Sequence, residues 1–172
     1  MRKIAIATLV SLTLALAAAL WTNGALAKSQ ASTAIQGTTL SFDVQFSPFF
    51  VLDFSSDGVR EVTDISQSSP SIGDETVFQD QLLKSGKVVG QDGGTCTATH
   101  VDITATPPID ITCQATFDLP LGVVATQGLA SNAPVKHLVI TGGTGAYLGA
   151  TGEVTLTEFE NNTGTVVFHF AD

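Results

Sequence analysis

Two acidic side chains are the strongest candidates for chemistry, because the alternation of their strands places them among apolar neighbours. Glu158 continues the phase of Leu156, and Asp80 shares a face with Phe78 and Leu82. An ionised carboxylate on an apolar face is costly unless it is paired, so such a group is suited to take up and release a proton. If both side chains enter one cavity, one can act as the acid and the other as the base.

Each carboxylate also has a plainer interpretation. Glu158 could point into water because its strand ends there, and Asp80 could be a rim aspartate hydrogen-bonded to backbone. The sequence leaves both alternatives open.

Asp53, Phe78, His100 and Tyr147 are predicted to contact a bound molecule. Asp53 could instead cap the turn at the serines that follow it. His100 shares a strand phase with Cys96, which favours a proton shuttle, although a lone histidine on a strand is usually packed or exposed. Tyr147 could stack on a ligand or present its hydroxyl to one, or its ring could cover the neighbouring glycine turns.

No metal site and no cofactor are predicted. The three histidines lie in different strand-like segments without ligand-like spacing. The glycine-rich run 139–156 looks superficially like a phosphate loop, but it lacks the following lysine and helix that such a loop requires.

The first 27 residues predict a secretory signal peptide. A basic pair at Arg2 and Lys3 precedes an apolar stretch over 4–20, and the small residues Ala25 and Ala27 suit cleavage before Lys28. An uncleaved membrane anchor is the alternative. We therefore expect a secreted protein that has no membrane association after cleavage.

Cleavage would leave a strongly acidic domain. Of the seven basic residues two lie in the signal peptide, so five remain against 16 acidic residues, a net charge near −11. This charge disfavours nucleic acid and anionic membranes as partners. The remaining 145 or so residues suffice for one ordinary domain.

Cys96 and Cys113 are predicted to form a disulfide, as two cysteines in an exported chain usually do. They lie in adjacent strand-like runs, and antiparallel neighbours can bring two such side chains onto one face. The alternative is a free thiol lining a cavity.

The elements that must position these groups are short strands. Residues 28–37 are predicted to be a flexible lead-in, and residues 38–172 a single all-β domain. Alternation from Leu40 to Phe46 predicts a strand with one buried side, which Pro48 interrupts, and the polar segment 55–73 predicts a long loop. Further strands are predicted at 76–83, 87–91, 95–103, 109–119, 123–127, 136–141, 152–159 and 165–170. Eight or so short strands without helical periodicity favour a sandwich or a closed barrel, and closure removes exposed strand edges.

The chain resembles the allene oxide cyclase and dirigent-protein barrels. The landmarks of the resemblance are Gly73-Asp74, Phe78, Leu82, Ser85-Gly86-Lys87, Gly90, Gly94, Cys96, Gln127-Gly128, Leu138, Thr141-Gly142-Gly143-Thr144-Gly145 and Gly152. The resemblance implies an eight-stranded antiparallel β-barrel, a homotrimer, and an apolar cavity open at one end. It also implies action on hydrophobic small molecules: plant cyclases close a fatty-acid epoxide, dirigent proteins steer phenoxy-radical coupling, and bacterial relatives include polyketide cyclases and a secreted phenazine-modifying enzyme.

The family's functional residues match this chain only in part. The cavity cysteine of the plant cyclases falls on Cys96 and their cavity asparagine on Asp80, whereas their cavity tyrosine falls near Ala130. Their catalytic glutamate has no counterpart, Thr39 or Asp43 being nearest.

These observations predict a secreted barrel that binds a hydrophobic small molecule, aromatic or polyunsaturated, and promotes its isomerisation or cyclisation. Glu158 and Asp80 would carry the proton. Two alternatives stay open: a dirigent-like protein that steers a reaction begun elsewhere, and a carrier that does no chemistry.

Overall fold

A computed structural model of the chain describes residues 35–55, 58–62 and 69–172. The predicted signal peptide and most of the predicted flexible lead-in lie outside these residues. No helix among the described residues has the length and apolarity needed to cross a bilayer.

The described residues form ten β-strands and one 3₁₀ helix. The strands are β1 Thr39–Gln45, β2 Phe50–Ser55, β3 Gly58–Val62, β4 Glu75–Lys84, β5 Lys87–Val101, β6 Ile109–Leu119, β7 Gly122–Ser131, β8 Val135–Gly143, β9 Gly152–Phe159 and β10 Thr163–Phe170. The 3₁₀ helix, Gly145–Tyr147, lies between β8 and β9.

Eight of these strands close into the predicted antiparallel barrel. From β4 to β10 each strand pairs with the next along the chain, and β1 pairs with both β10 and β4. The β1–β4 seam that completes the ring is short, with only three residue pairs, Asp43 to Gln45 against Leu83 to Gln81. Further along β4, the neighbouring strand is β2, which pairs with β4 at Phe50 to Leu52. β3 is an added strand that pairs with β2 as a hairpin.

Aromatic side chains fill the barrel interior at one end. We call this the helix end, because the 3₁₀ helix Gly145–Tyr147 lies there. The Phe168 ring makes edge contacts with Phe117, at 5.0 Å between centroids, and with Phe42, at 6.1 Å. Tyr147 stacks on Phe170 at 5.6 Å and is 1% exposed. The interior is therefore packed solid on this side.

Two segments differ from the prediction. The predicted loop over 55–73 contains β3, whose polar residues gave no strand signal. The runs 87–91 and 95–103, predicted as separate strands, are parts of the single 15-residue strand β5. Gly94 in this stretch leaves no room for a side chain: a Cβ there would collide with the carbonyl oxygen of Gln114 in β6 and would lie 3.0 Å from Cζ of Phe78 in β4.

Candidate functional site

Two buried aspartates face the barrel interior on neighbouring strands. Asp80 in β4 and Asp92 in β5 are directly opposite each other, and they are 6% and 5% exposed. The backbone amide of Asp80 donates to Oδ1 of Asp92 at 3.2 Å. The amide of Ser47, which follows β1, donates to Oδ1 of Asp80 at 2.8 Å. Both interpretations of Asp80 therefore hold in part, since it is buried and also bonded to backbone.

The surroundings of this pair favour its protonated forms. Burial, helped by the charge of Asp80 and opposed by the hydrogen bond from the Asp80 amide, raises the pKa of Asp92 to about 7. Burial likewise raises the pKa of Asp80, opposed by the Ser47 hydrogen bond and helped by the charge of Glu158. The two aspartates titrate as a coupled pair that can hold a proton near neutral pH.

Glu158 lies at the barrel end opposite the helix end, where it contacts the turn between β7 and β8 and the start of β8. Its amide donates to the carbonyl of Pro134 at 2.8 Å, and its Oε1 lies 2.7 Å from Nζ of Lys136. The same Nζ donates to the carbonyl of Ala133 at 2.9 Å. The Glu158 side chain is 39% exposed, so it is neither enclosed nor free in water.

Two phenylalanine rings lie inside the barrel on the strands or segments that carry or adjoin the carboxylates. The ring of Phe78 lies over Gly94, and the ring of Phe46 lies over Gly164, where an added Cβ would be 2.8 Å from Cζ of Phe46. Both rings pack against the aromatic core. Glycine on the facing strand thus leaves each ring room inside the barrel.

The predicted disulfide is present. Cys96 in β5 and Cys113 in β6 are cross-strand neighbours and are bonded to each other. Because Cys113 is buried and both sulfurs are used, the alternative of a free cavity thiol is wrong.

A cleft of about 600 Å³ reaches Asp80. Its lining combines apolar and polar side chains: Ser47, Pro48, Phe50, Val77, Phe78, Gln79, Asp80, Gln81 and Gln91. The resemblance implied an apolar cavity opening along the barrel at one end. This cleft instead lies in the barrel wall, since β4 residues that point outward and inward both line it.

Three of the predicted ligand contacts lie elsewhere. Asp53 is buried in β2 opposite Arg60 and does not line the cleft. The predicted phase of His100 does not hold, because a register shift after Ala98 turns His100 outward, where it is exposed. Tyr147 packs into the helix end beneath the glycine turns, as its plainer interpretation expected.

Sequence reasoning missed Asp92 and Lys136. Asp92 begins an Asp-Gly-Gly run that has the composition of a turn, yet the run lies inside β5. Its even spacing from Gly94 and Cys96 is the sequence signal that would have placed Asp92 on the same face of one strand. Lys136, only 8% exposed, alternates with Leu138 on the inward face of β8. Within the described ranges, no group of three or more histidine, cysteine or carboxylate side chains is arranged to hold a metal ion.

One protein-family model matches most of the barrel. The family is described as the allene oxide cyclase barrel like domain, and it matches residues 59–168. No curated protein sequence matches the chain significantly.

Several solved structures share the fold. Pyocyanin demethylase is 27% identical with a TM-score of 0.65, covering 78% of this chain and 100% of its own. The Diels Alderase AbmU from Streptomyces koyangensis is 14% identical with a TM-score of 0.57, covering 77% of this chain and 64% of its own. A pterocarpan synthase dirigent protein is 16% identical with a TM-score of 0.52, covering 78% and 86%.

Proposed function

The chain belongs to the allene oxide cyclase barrel-like family, and from that premise we propose that it binds a hydrophobic small molecule and promotes its isomerisation or cyclisation. The observation that carries this proposal is the buried pair of Asp80 and Asp92 at the inner edge of a cleft. A carboxyl pair that holds a proton near neutral pH can both accept and donate one.

The proposed step is a proton relocation. The ionised carboxylate of Asp80 removes a proton from a carbon of the bound molecule, and the electron pair left behind shifts to form the new double bond or ring bond. A proton then returns at a second position, so the molecule keeps its formula and no oxidant or reductant is consumed. Asp92, behind Asp80, stores the proton between the two transfers, and Glu158 is the second candidate donor.

The comparisons support a small organic ligand. Pyocyanin demethylase, named for a small-molecule substrate, matches over its full length at 27% identity. The Diels Alderase and the dirigent protein support the shared barrel alone, because their identities are 14% and 16%.

The test begins by identifying the ligand. The purified protein is exposed to an extract of its own culture, and the retained compound is identified by mass spectrometry. That compound is then incubated in deuterated water with wild type, Asp80→Asn and Glu158→Gln. A proton-transfer enzyme should incorporate deuterium, and Asp80→Asn should lose about 10²-fold or more of turnover while still binding.

The same experiment separates the alternatives. If weaker binding explains the whole change in turnover of both amide variants, the proton-transfer proposal is overturned. That result would favour a dirigent-like steering protein or a carrier, as would a retained compound that is never converted. Lys84→Gln is a suitable control, because Lys84 is exposed and its Nζ bonds the carbonyl of Ser41 outside the cleft.

The proposal includes secretion and a homotrimer. A disulfide between Cys96 and Cys113 fits an oxidising compartment, which supports export. The trimer is supported by the family resemblance alone. An N-terminus at Lys28 in protein recovered from the medium would fit export, and light scattering would give the assembly mass. Retention in the cytoplasm or a monomeric mass would contradict these points.

A further inference from the structure

The barrel wall is interrupted beside Asp80. β1 pairs with β4 at positions 81–83, and β2 pairs with β4 at positions 75–77. Within the described part of the chain, the stretch of β4 between them, Phe78 to Asp80, has no register partner on that side. There the Ser47 amide donates its hydrogen bond to the Asp80 side chain and not to a backbone carbonyl of β4. Pro48, which has no amide hydrogen, follows directly and suits this interruption.

The cleft occupies this interruption and has the makeup of a small-molecule site. Its volume of about 600 Å³ lies in the range of ordinary ligand pockets. Phe50 is 44% exposed and Val77 is 37% exposed, so both leave apolar surface uncovered. Such surface beside a few fixed polar groups is the usual composition of a ligand pocket.

The polar groups of the cleft are neutral amides around a single carboxyl group. Nε2 of Gln79 donates to Oε1 of Gln91 at 3.2 Å, which fixes the two amides relative to each other. Gln81 adds a third amide, and among the described residues of the lining Asp80 is the only one with an ionisable side chain. Amides recognise carbonyl and hydroxyl groups equally well, since they both donate and accept.

The two ends of the barrel are less suited as routes to Asp80. The helix end is filled by the stack of Tyr147 and Phe170. At the opposite end, the ammonium of Lys136 bonds both the Ala133 carbonyl and Glu158. A ligand would have to displace that ammonium, whereas the cleft reaches Asp80 directly.

We propose that the ligand binds through the interruption in the wall, and that it is an uncharged, largely apolar molecule with a carbonyl or hydroxyl group at one edge. Its apolar face lies on Phe50 and Val77, and its polar edge meets the glutamine amides. The carboxylates near the cleft and the net negative charge of the chain disfavour an anionic ligand. For its chemistry this site rests on the proposed function, but its existence as a binding site does not.

The test plugs the cleft from outside. Both native cysteines are bonded to each other, so an added cysteine can be labelled selectively. Gln81→Cys carries a bulky maleimide label at the cleft, and Gln114→Cys carries the same label on an exposed outer position of β6. The probe is N-phenyl-1-naphthylamine, a neutral aromatic amine whose fluorescence rises in apolar surroundings. Labelled Gln81→Cys should bind it about tenfold or more weakly than labelled Gln114→Cys and than its own unlabelled form.

Equal binding by the two labelled proteins would overturn the wall site, as would the absence of saturable binding by wild type. Leu156→Trp, which adds bulk inside the barrel near the opposite end, should leave probe binding unchanged, and a selective loss there would place the site on the barrel axis. These outcomes are independent of proton transfer. Unimpaired turnover by Asp80→Asn would contradict the proposed reaction but would not contradict the binding site.

Discussion

The backbone amide of Asp80 donates to the carboxylate of Asp92, so each aspartate lies within the electrostatic reach of the other inside the barrel wall. With its pKa raised from 3.8 to about 7, Asp92 binds a proton more tightly in the folded than in the unfolded state. Its contribution to stability is complete below the unfolded pKa and is lost as the pH rises through about 7.

Asp92→Asn should therefore stabilise the protein selectively at high pH. Near pH 8 the free energy of unfolding is expected to rise on the order of 2 kcal/mol, and near pH 4 it should hardly change. Urea denaturation across this pH range measures both. Asp118→Asn, an exposed position opposite Gln91 on β6, is the control and should show no such difference. A pH-independent effect of Asp92→Asn would contradict the assignment.

Gly94→Ala should destabilise the barrel by about 2–3 kcal/mol, because the added Cβ has no room. It would collide with the carbonyl oxygen of Gln114, and it would lie 2.9 Å from the Cα of Ala115 and 3.0 Å from the Phe78 ring. Gly93→Ala is the matched control one residue away, since its Cβ would meet nothing closer than 3.4 Å. Denaturation midpoints of the two variants give the comparison, and similar midpoints would argue against the close approach of the β6 backbone to Gly94.

Reducing the bond between Cys96 and Cys113 should cost about 3 kcal/mol of unfolding free energy on the chain-entropy model. The two residues are 17 apart in sequence. Denaturation with and without reductant measures the loss. A double variant, Cys96→Ser with Cys113→Ser, should match the reduced protein and be insensitive to reductant. A wild type unaffected by reductant would mean that the bond does not form.

Asp74→Ala should loosen the junction between β2 and β4. The Asp74 carboxylate accepts hydrogen bonds from the Phe54 amide at 2.9 Å and from the amide and hydroxyl of Ser71 at 2.7 and 2.8 Å. Losing these bonds is expected to cost about 2–3 kcal/mol. Hydrogen exchange should quicken at the Phe54 amide, whereas Asp43→Ala, an exposed β1 variant, should leave that amide unchanged.

Most of the fold could be predicted from the alternation of apolar and polar residues along the strands. Where one face is buried and the other is wet, as in Leu40 to Phe46, alternation marks the strand directly. β3 escaped detection because it is an added hairpin strand outside the closed ring and lacks that alternation. β5 was divided because Asp92-Gly93-Gly94 has turn composition, although the glycine makes room for a ring from β4.

The site was less predictable, because side-chain direction depends on local register. Asp80 kept its predicted inward phase since β4 is regular up to Leu82. The predicted strand face of His100 does not hold because of one register shift in β5, and no residue type in the sequence indicates such a shift. Lys136 was overlooked because a lysine is usually exposed, and its burial depends on the carbonyl of Ala133 and the carboxylate of Glu158.

The β1–β4 seam joins three residue pairs, whereas β4 and β5 are joined by ten. A ring can open only where two neighbouring strands part, and the fewest backbone hydrogen bonds are broken at this seam. Partial unfolding should therefore begin there, parting β1 from β4 while β1 stays paired with β10, and exposing the Phe42 side of the core before the other strands separate. The seam that completes the barrel is also the place where water would first enter its interior.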